Sequence, residues 1–451
     1  MNESKLTKGV LMSYFLDGCK EKKNWRIGTE HEKFGFRKKN LEPINYSDIQ
    51  KILTKLSLKF GWEKIFEEKK IIGLKRHNAS ISLEPGGQIE LSGAPLKNLF
   101  ETCVEVNSHQ DELNAVCEDL GIDFMGMGVL PKWTREHMTL MPKKRYKIMS
   151  RYMPKVGSLG LDMMLRTCTI QANFDFSSEQ DMKKKIVVSQ SIQPLIIALY
   201  ANSPFINGKL SNFLSYRSYI WTKTDNDRCG LLSMFCDKEF SIEKYVDYLL
   251  DVPMYFIIRN NKYIDLTGHT FRDLMDGKIK KMDATFSDWE NHITTIFTEV
   301  RLKKIIEVRG ADGGPWSRVC ALPAFWTGIL YDEEILDEIW LIIKSWKFNE
   351  IKKFYEDVRT DGLKASAPNN ESVFKFTKKI IDFSVKGLKK RNYTKGDDDE
   401  TIFLEPLNII LDSGKSPAET WKNLFLGEWN NNVNMIYETN YFKVLKKNEK
   451  I

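Results

Sequence analysis

The sequence predicts a mixed α+β protein. Four runs, at 26–36, 81–91, 167–176 and 305–310, alternate polar and apolar residues with the period of a half-buried strand. Other stretches repeat apolar residues at the three- and four-residue spacing of a helix, and that spacing dominates the last third of the chain.

The elements follow in order. In RIGTEHEKFGF (26–36), Glu30 and Glu32 lie two apart and so point to one side of a strand, while His31 points away; TEHEK is not a zinc-binding HExxH. In ISLEPGGQIEL (81–91), Pro85-Gly86-Gly87 is a turn between two alternating runs. A two-residue loop would set Glu84 against Ile89, mixing polar with apolar. A three-residue loop opposes Glu84 with Gln88, Leu83 with Ile89 and Ser82 with Glu90, which keeps one face polar and the other apolar, and it is the register expected. Leu99, Cys103, Val106, Gln110, Leu113, Cys117 and Leu120 form a helical stripe. TCTIQANFDF (167–176) places Gln171, Asn173 and Asp175 on one face, and in IIEVRG (305–310) Glu307 and Arg309 share a side. Ile335, Ile339, Ile342 and Trp346 mark a further helix, SAPNN (366–370) a loop, and KKRNYTKGDDDE (389–400) a solvated charged linker.

Length and composition bound the function. At 451 residues the chain has room for up to three domains, but no Pro/Gly/Ser-rich break interrupts it before residue 360 and no repeat is evident. The reading is one catalytic domain over 1–451, with a core at about 25–331 and a helix-rich part at about 332–451. With 42% apolar and 12% aromatic residues the chain can bury a sizeable core. The net charge of +7 is spread among interleaved Lys/Arg and Asp/Glu, without the basic stripe of a nucleic-acid binder. The longest apolar run, Leu195 to Ala201, is far short of the ~20 residues that cross a bilayer. The first residues, MNESKLTKGV, have neither the apolar run of a secretion signal nor the Arg/Ser-rich character of a transit peptide, so the default expectation is cytoplasmic. Seven cysteines without a CxxC argue against a zinc framework and for reduced core thiols.

The polar strand faces carry Glu, Gln and Asn where an ordinary solvent face would favour Lys, Thr and Ser. If the strands share a sheet, Glu30, Glu32, Glu84, Glu90 and Glu307 converge, and such a group of carboxylates calls for cations between them. Hard oxygen donors suit Mg²⁺, which also binds phosphates. GKS at 414–416 lacks the upstream glycine of a P-loop and no GxGxxG follows a strand, so ATP would be held by metals and by basic segments such as MPKKRYKIM (141–149) and LSYRSYIW (214–221).

The strings IGTEHEKFGF, SLEPGGQIELSGAPL, MGMGVLPKW, RYMPKVGSLGLDMMLRTCTIQANFDF, ANSPF, SYRSYIWTKTD, YVDYLLDVPMYF, WENHITTIF and EVRGADGGPW together resemble the glutamate-cysteine ligase family of the plant and proteobacterial type, in order from about Trp25 to Tyr331. The resemblance implies a glutamine-synthetase-like carboxylate-amine ligase fold, a curved, largely antiparallel sheet forming a funnel backed by helices. It implies ligation of the γ-carboxylate of L-glutamate to the amine of L-cysteine through γ-glutamyl phosphate, with ATP as co-substrate and two or more Mg²⁺ ions. By the same resemblance Glu30, Glu32, Glu84, Glu90 and Glu307 are metal ligands. Gln171, Asn173 and Arg309 belong to the nucleotide region, Arg145 and Arg217 clamp the glutamate α-carboxylate, and Tyr255 walls the cysteine pocket. Arg309, Arg145 and Arg217 would assist catalysis by positioning and charge neutralisation.

Relatives in plants carry two regulatory disulfides. One pair falls here at Leu266 and Lys281, so that bridge cannot form; the other matches Cys103 in ETCVEVNSH and Cys320 in SRVCALPAFW. The implied partners are small molecules, with no nucleic acid and no membrane, and the implied assembly is a monomer or a redox-dependent homodimer. A sister γ-glutamyl ligase using another amine is the nearest alternative, and a non-catalytic nucleotide- or nucleic-acid-binding protein a distant one.

Overall fold

Nine strands of the computed structural model, which describes residues 6–439, form one sheet. They are β1 (Ile27–Arg37), β2 (Glu63–Glu67), β3 (Lys70–Arg76), β4 (Ala79–Leu83), β5 (Ile89–Ser92), β6 (Ile122–Met125), β7 (Thr169–Phe174), β8 (Val300–Leu302) and β9 (Ile306–Asp312). The order is β8-β9-β7-β1-β5-β4-β3-β2, with β6 on the second half of β1, and every pairing is antiparallel. The end strands β8 and β2 do not meet, so the sheet stays open.

The alternation read from the sequence decides which face is buried. Ile81, Leu83, Ile89, Leu91, Ile170, Ala172, Phe174 and Val308 lie in one apolar core. The helices Leu99–Cys117, Glu179–Tyr200 and Trp316–Leu330 cover it. Because side chains alternate, Glu30, Glu32, Glu90 and Gln171 are left facing the other way. The hairpin has the expected register: Ser82 opposes Glu90, Leu83 opposes Ile89, and the Glu84 N–H donates to the Gln88 carbonyl at 2.9 Å. Gly87 takes φ +89°, a conformation that favours glycine, and Gly86 packs so tightly that a Cβ would strike the Leu165 carbonyl.

The helix at 99–117 buries its predicted stripe, with Leu120 in a following 3-10 turn and only half-buried. In the helix Glu333–Ile343 the buried face is Ile335, Leu336, Ile339 and Ile343; Ile342, expected inside, is half-exposed, one position off the packed face. SAPNN is a loop, closed by a bridge between Ser366 and Ser372. The run at 389–400 is exposed over most of its length, as expected, but it is structured rather than a linker. Its first residues end the helix Val373–Arg391, a two-stranded hairpin follows, and Glu400 is fully buried. Glu400 accepts from the Leu99 N–H at 2.7 Å and pairs with Arg391 at 3.1 Å, so a charge that looked solvated in sequence caps a core helix instead.

The C-terminal helices share the sheet's core, since Phe376, Ile380, Leu404 and Leu411 belong to the same apolar cluster as Ile27 and Ile170. The helices Trp316–Leu330 and Val373–Arg391 cross where Gly328 meets Gly387, and a Cβ on either would run into the other chain segment's backbone. The apolar run Leu195–Ala201 is wholly buried. Among the described residues no helix is long and apolar enough to cross a membrane.

Candidate active site

The polar face of the sheet opens into a cleft of about 350 Å³. Strands β1, β4, β5, β7, β8 and β9 and the hairpin turn form one side, and the segments around Lys143–Met149, Met163–Thr167 and Arg217–Trp221 form the other. Of the residues singled out in the sequence, Glu30, Glu32, Glu84, Glu90, Arg145, Gln171, Arg217 and Arg309 all line it.

The carboxylates divide into two groups. Glu32, Glu84 and Glu90 each bring an oxygen within 4.8 Å of the others. Burial, then the facing carboxylates, push Glu32 well above the usual range. Burial and Glu84 push Glu90 up to about 7. The nearest hydrogen bonds are few: Thr169 N–H donates to Glu32 at 2.9 Å, Ser92 Oγ to Glu90 at 2.6 Å and Ser82 Oγ to Glu84 at 3.2 Å. The Lys143 ammonium donates to the Leu83 carbonyl at 2.8 Å and offsets Glu84 and Glu90 only through space. Three facing carboxylates with so little compensation are a donor set that fits a hard divalent cation such as Mg²⁺.

Glu307 stands apart from this triad. Arg301, its cross-strand partner, and Lys303 both pair with it, and Arg309 lies 3.6 Å away. Burial alone would raise its pKa, but these three cations hold it well below the usual carboxylate range. Its charge is matched within the protein, so it anchors arginines rather than facing the cleft with the other three. Glu30 lies between the groups: Asn173 donates to it at 2.8 Å, and burial, Glu307 and Glu90 raise its pKa.

The arginines are partly engaged and partly free. Arg309 donates to the Gln171 side chain, and burial, reinforced by Arg301, lowers its pKa to about 10. Arg217 donates to the Arg309 carbonyl at 3.0 Å, while its buried Nε has no protein partner; the Nε of Arg145 is likewise buried and unpaired. Two guanidinium groups with unused donors inside a cleft are suited to a carboxylate.

Asn173 acts from behind Glu30 and does not line the cleft. Tyr255, expected as a wall of the cysteine pocket, is not among the residues lining this cleft: it is 1% exposed, under the Arg228 guanidinium at 4.0 Å and edge-on to Tyr152. Asp175, on the polar face by alternation, falls past the strand end and pairs with Lys20. Cys103 and Cys320 are both buried and unbridged, and the neighbouring Cys320 thiol adds to the burial that raises the Cys103 pKa. Leu266 is buried after a small hairpin and Lys281 is exposed. Sequence reasoning did not single out Lys143 or Arg301. The signal for Arg301 was present, since an arginine between Val300 and Leu302 falls directly opposite Glu307 once β8 and β9 pair.

Residues 26–439 match the family described as glutamate-cysteine ligase family 2. Glutamate-cysteine ligase B, chloroplastic, of Oryza sativa subsp. japonica is 52% identical over 436 residues, 96% of this chain and 87% of the rice protein. The chloroplastic glutamate-cysteine ligase of Arabidopsis thaliana is 50% identical over 437 residues, 96% and 82% of the two chains. A crystal structure of glutamate-cysteine ligase from Francisella tularensis in complex with AMP shares the fold, with a TM-score of 0.58, 13% identity and coverage of 94% and 88%. The expected cytoplasmic location is contradicted by these relatives, which are named chloroplastic. That expectation rested on the composition of the first residues.

Proposed function

The chain belongs to glutamate-cysteine ligase family 2, and from that membership and the contents of the cleft we infer that it ligates L-glutamate to L-cysteine with hydrolysis of ATP to ADP and phosphate. The product is γ-glutamylcysteine, the first step of glutathione synthesis. The observation that carries this reading is the meeting, in one cleft, of the Glu32/Glu84/Glu90 triad with Arg145, Arg217 and Arg309.

The triad, with Glu30 at its margin, would hold magnesium, which when bound neutralises the triphosphate and makes its γ-phosphorus easier to attack. Arg145 and Arg217 bind the α-carboxylate of glutamate through the guanidinium groups they bring to the cleft and so aim the γ-carboxylate. Arg309, held by Gln171 and Glu307, offers positive charge where the acyl phosphate forms. The cysteine amine then displaces phosphate. No side chain is needed as a covalent nucleophile. The proximity of the buried Cys103 and Cys320 thiols supports a reversible disulfide between them.

Purified protein supplied with ATP, Mg²⁺ and glutamate should release ADP only when an amine is added, fastest with L-cysteine, and γ-glutamylcysteine should appear by mass spectrometry. Faster turnover with another amine transfers the reading to a sister γ-glutamyl ligase. ADP release that ignores both amino acids overturns it.

A further inference from the structure

Four of the sequence strings, MGMGVLPKW, ANSPF, SYRSYIWTKTD and EVRGADGGPW, meet away from the carboxylate triad, and Asp312 is their common point. Asp312 is 1% exposed. Its Oδ2 accepts from the Asn202 N–H at 2.8 Å and from the Ser203 hydroxyl at 2.6 Å, and its Oδ1 accepts from the Ser215 hydroxyl at 2.8 Å. Each hydroxyl, having given its proton to the carboxylate, can only accept from the backbone. Ser203 Oγ takes the Arg217 N–H at 3.1 Å and Ser215 Oγ takes the Ser218 N–H at 3.2 Å. Both belong to the first turn of the short helix Tyr216–Trp221, which carries Arg217 into the cleft.

The surroundings leave this arrangement little freedom. Gly128 lies so close that a Cβ would collide with the Asp312 carboxylate. The Asn202 amide donates to the carbonyls of Gly126 and Gly313 at 3.0 and 2.8 Å, and the Trp421 indole donates to Asn202 Oδ1 at 2.7 Å. A short helix has little intrinsic stability, so the direction of its arginine depends on what holds its first turn.

We propose that Asp312 is a positioning residue for glutamate, acting through the Ser203 and Ser215 hydroxyls to fix the first turn of the Tyr216–Trp221 helix and with it the Arg217 guanidinium. This rests on the reading of Arg217 as a glutamate-carboxylate ligand. In Asp312→Asn one acceptor oxygen becomes an amide donor, so one serine hydroxyl loses the acceptor for its proton and must turn it elsewhere, which loosens the tie between residue 312 and the first turn. Glutamate KM should rise 10- to 100-fold, with the KM for ATP changed less than threefold. Ser203→Ala and Ser215→Ala, which leave the carboxylate in place, should each raise glutamate KM three- to tenfold and carry the test should Asp312→Asn not fold.

Arg217→Lys separates the two readings. An unchanged glutamate KM in Arg217→Lys refutes Arg217 as the ligand, and the positioning role with it. A raised KM there, with no change in either serine variant, refutes the positioning role alone. Combining Ser203→Ala with Arg217→Lys should give less than the product of the separate effects, because both act on one contact. Strictly multiplicative effects, or equal losses for ATP and glutamate, would identify a merely structural residue.

Discussion

At the residue scale, the cleft is built from charges whose environments differ sharply over a few ångströms. Glu307 and Glu90 both sit on buried strands, yet one is matched by Arg301 and Lys303 and the other faces carboxylates. Magnesium binding should therefore raise Tm, since a cation that binds only the folded chain adds stability by mass action. Glu84→Gln keeps the shape but removes a donor charge; it should abolish ligation and shrink the magnesium-dependent Tm shift, measured by calorimetry with and without the metal. Wild-type turnover in this variant at limiting Mg²⁺ would remove the triad from the mechanism. His292 gives a separate prediction. Its Nε2 lies 2.8 Å from the Leu249 carbonyl, and burial, with a contribution from Arg228, lowers its pKa to about 4. The unfolded chain takes up that proton near pH 6.5, the folded one only near 4, so its contribution is full above 6.5 and lost as pH falls through that window. The loss is on the order of 3 kcal/mol. His292→Gln should flatten the stability–pH slope between 6.5 and 4 in urea titrations; an unchanged slope would contradict this.

At the element scale, close approach of backbones fixes the geometry. The helix crossing at Gly328 and Gly387 has no space for a methyl group. Gly387→Ala should cost about 1–3 kcal/mol through overpacking, even though alanine is the better helix former, and a Tm equal to or above wild type would show that the crossing yields. The elements also record where patterning sufficed. In the hairpin, opposed residues must share a face, and that alone selects the three-residue loop with Leu83 against Ile89. Patterning failed at Glu400, which reads as one more acidic residue in the otherwise exposed charged run 389–400. Its burial depends on Arg391 and on the N-terminus of the helix Leu99–Cys117, some 300 residues away in sequence.

At the scale of the whole molecule, the core that backs the sheet runs from β1 to the helices beyond residue 400, and we propose that the chain unfolds as one domain. Cys103 and Cys320 lie on two helices that pack into that core but are far apart in sequence, Leu99–Cys117 and Trp316–Leu330. Burial pushes the Cys103 thiol well above its usual pKa, so little thiolate exists at neutral pH and exchange should be slow. Mild oxidation should give a bridge between these two residues over hours, faster at pH 9 than at pH 7, with a change in activity that dithiothreitol reverses and Cys103→Ser abolishes. Oxidation that leaves activity unaltered would reduce them to two packed thiols.

The sequence by itself determined the strand faces, because a period of two is local and survives any packing. It thereby selected Glu30, Glu32, Glu84, Glu90 and Glu307 as a group, and the long motifs pointed to the ligase family. Which carboxylates face one another was decided only by the tertiary structure. Strand order puts β5 beside β1 and so sets Glu90 against Glu32, and it puts β8 beside β9 and so gives Glu307 to Arg301. The burial of Tyr255 under Arg228 and the gathering of four motifs on Asp312 likewise arise from contacts between distant segments. Electrostatic energy depends on distance and burial, which local pattern does not contain, so charge could be located in the sequence but its partners could not.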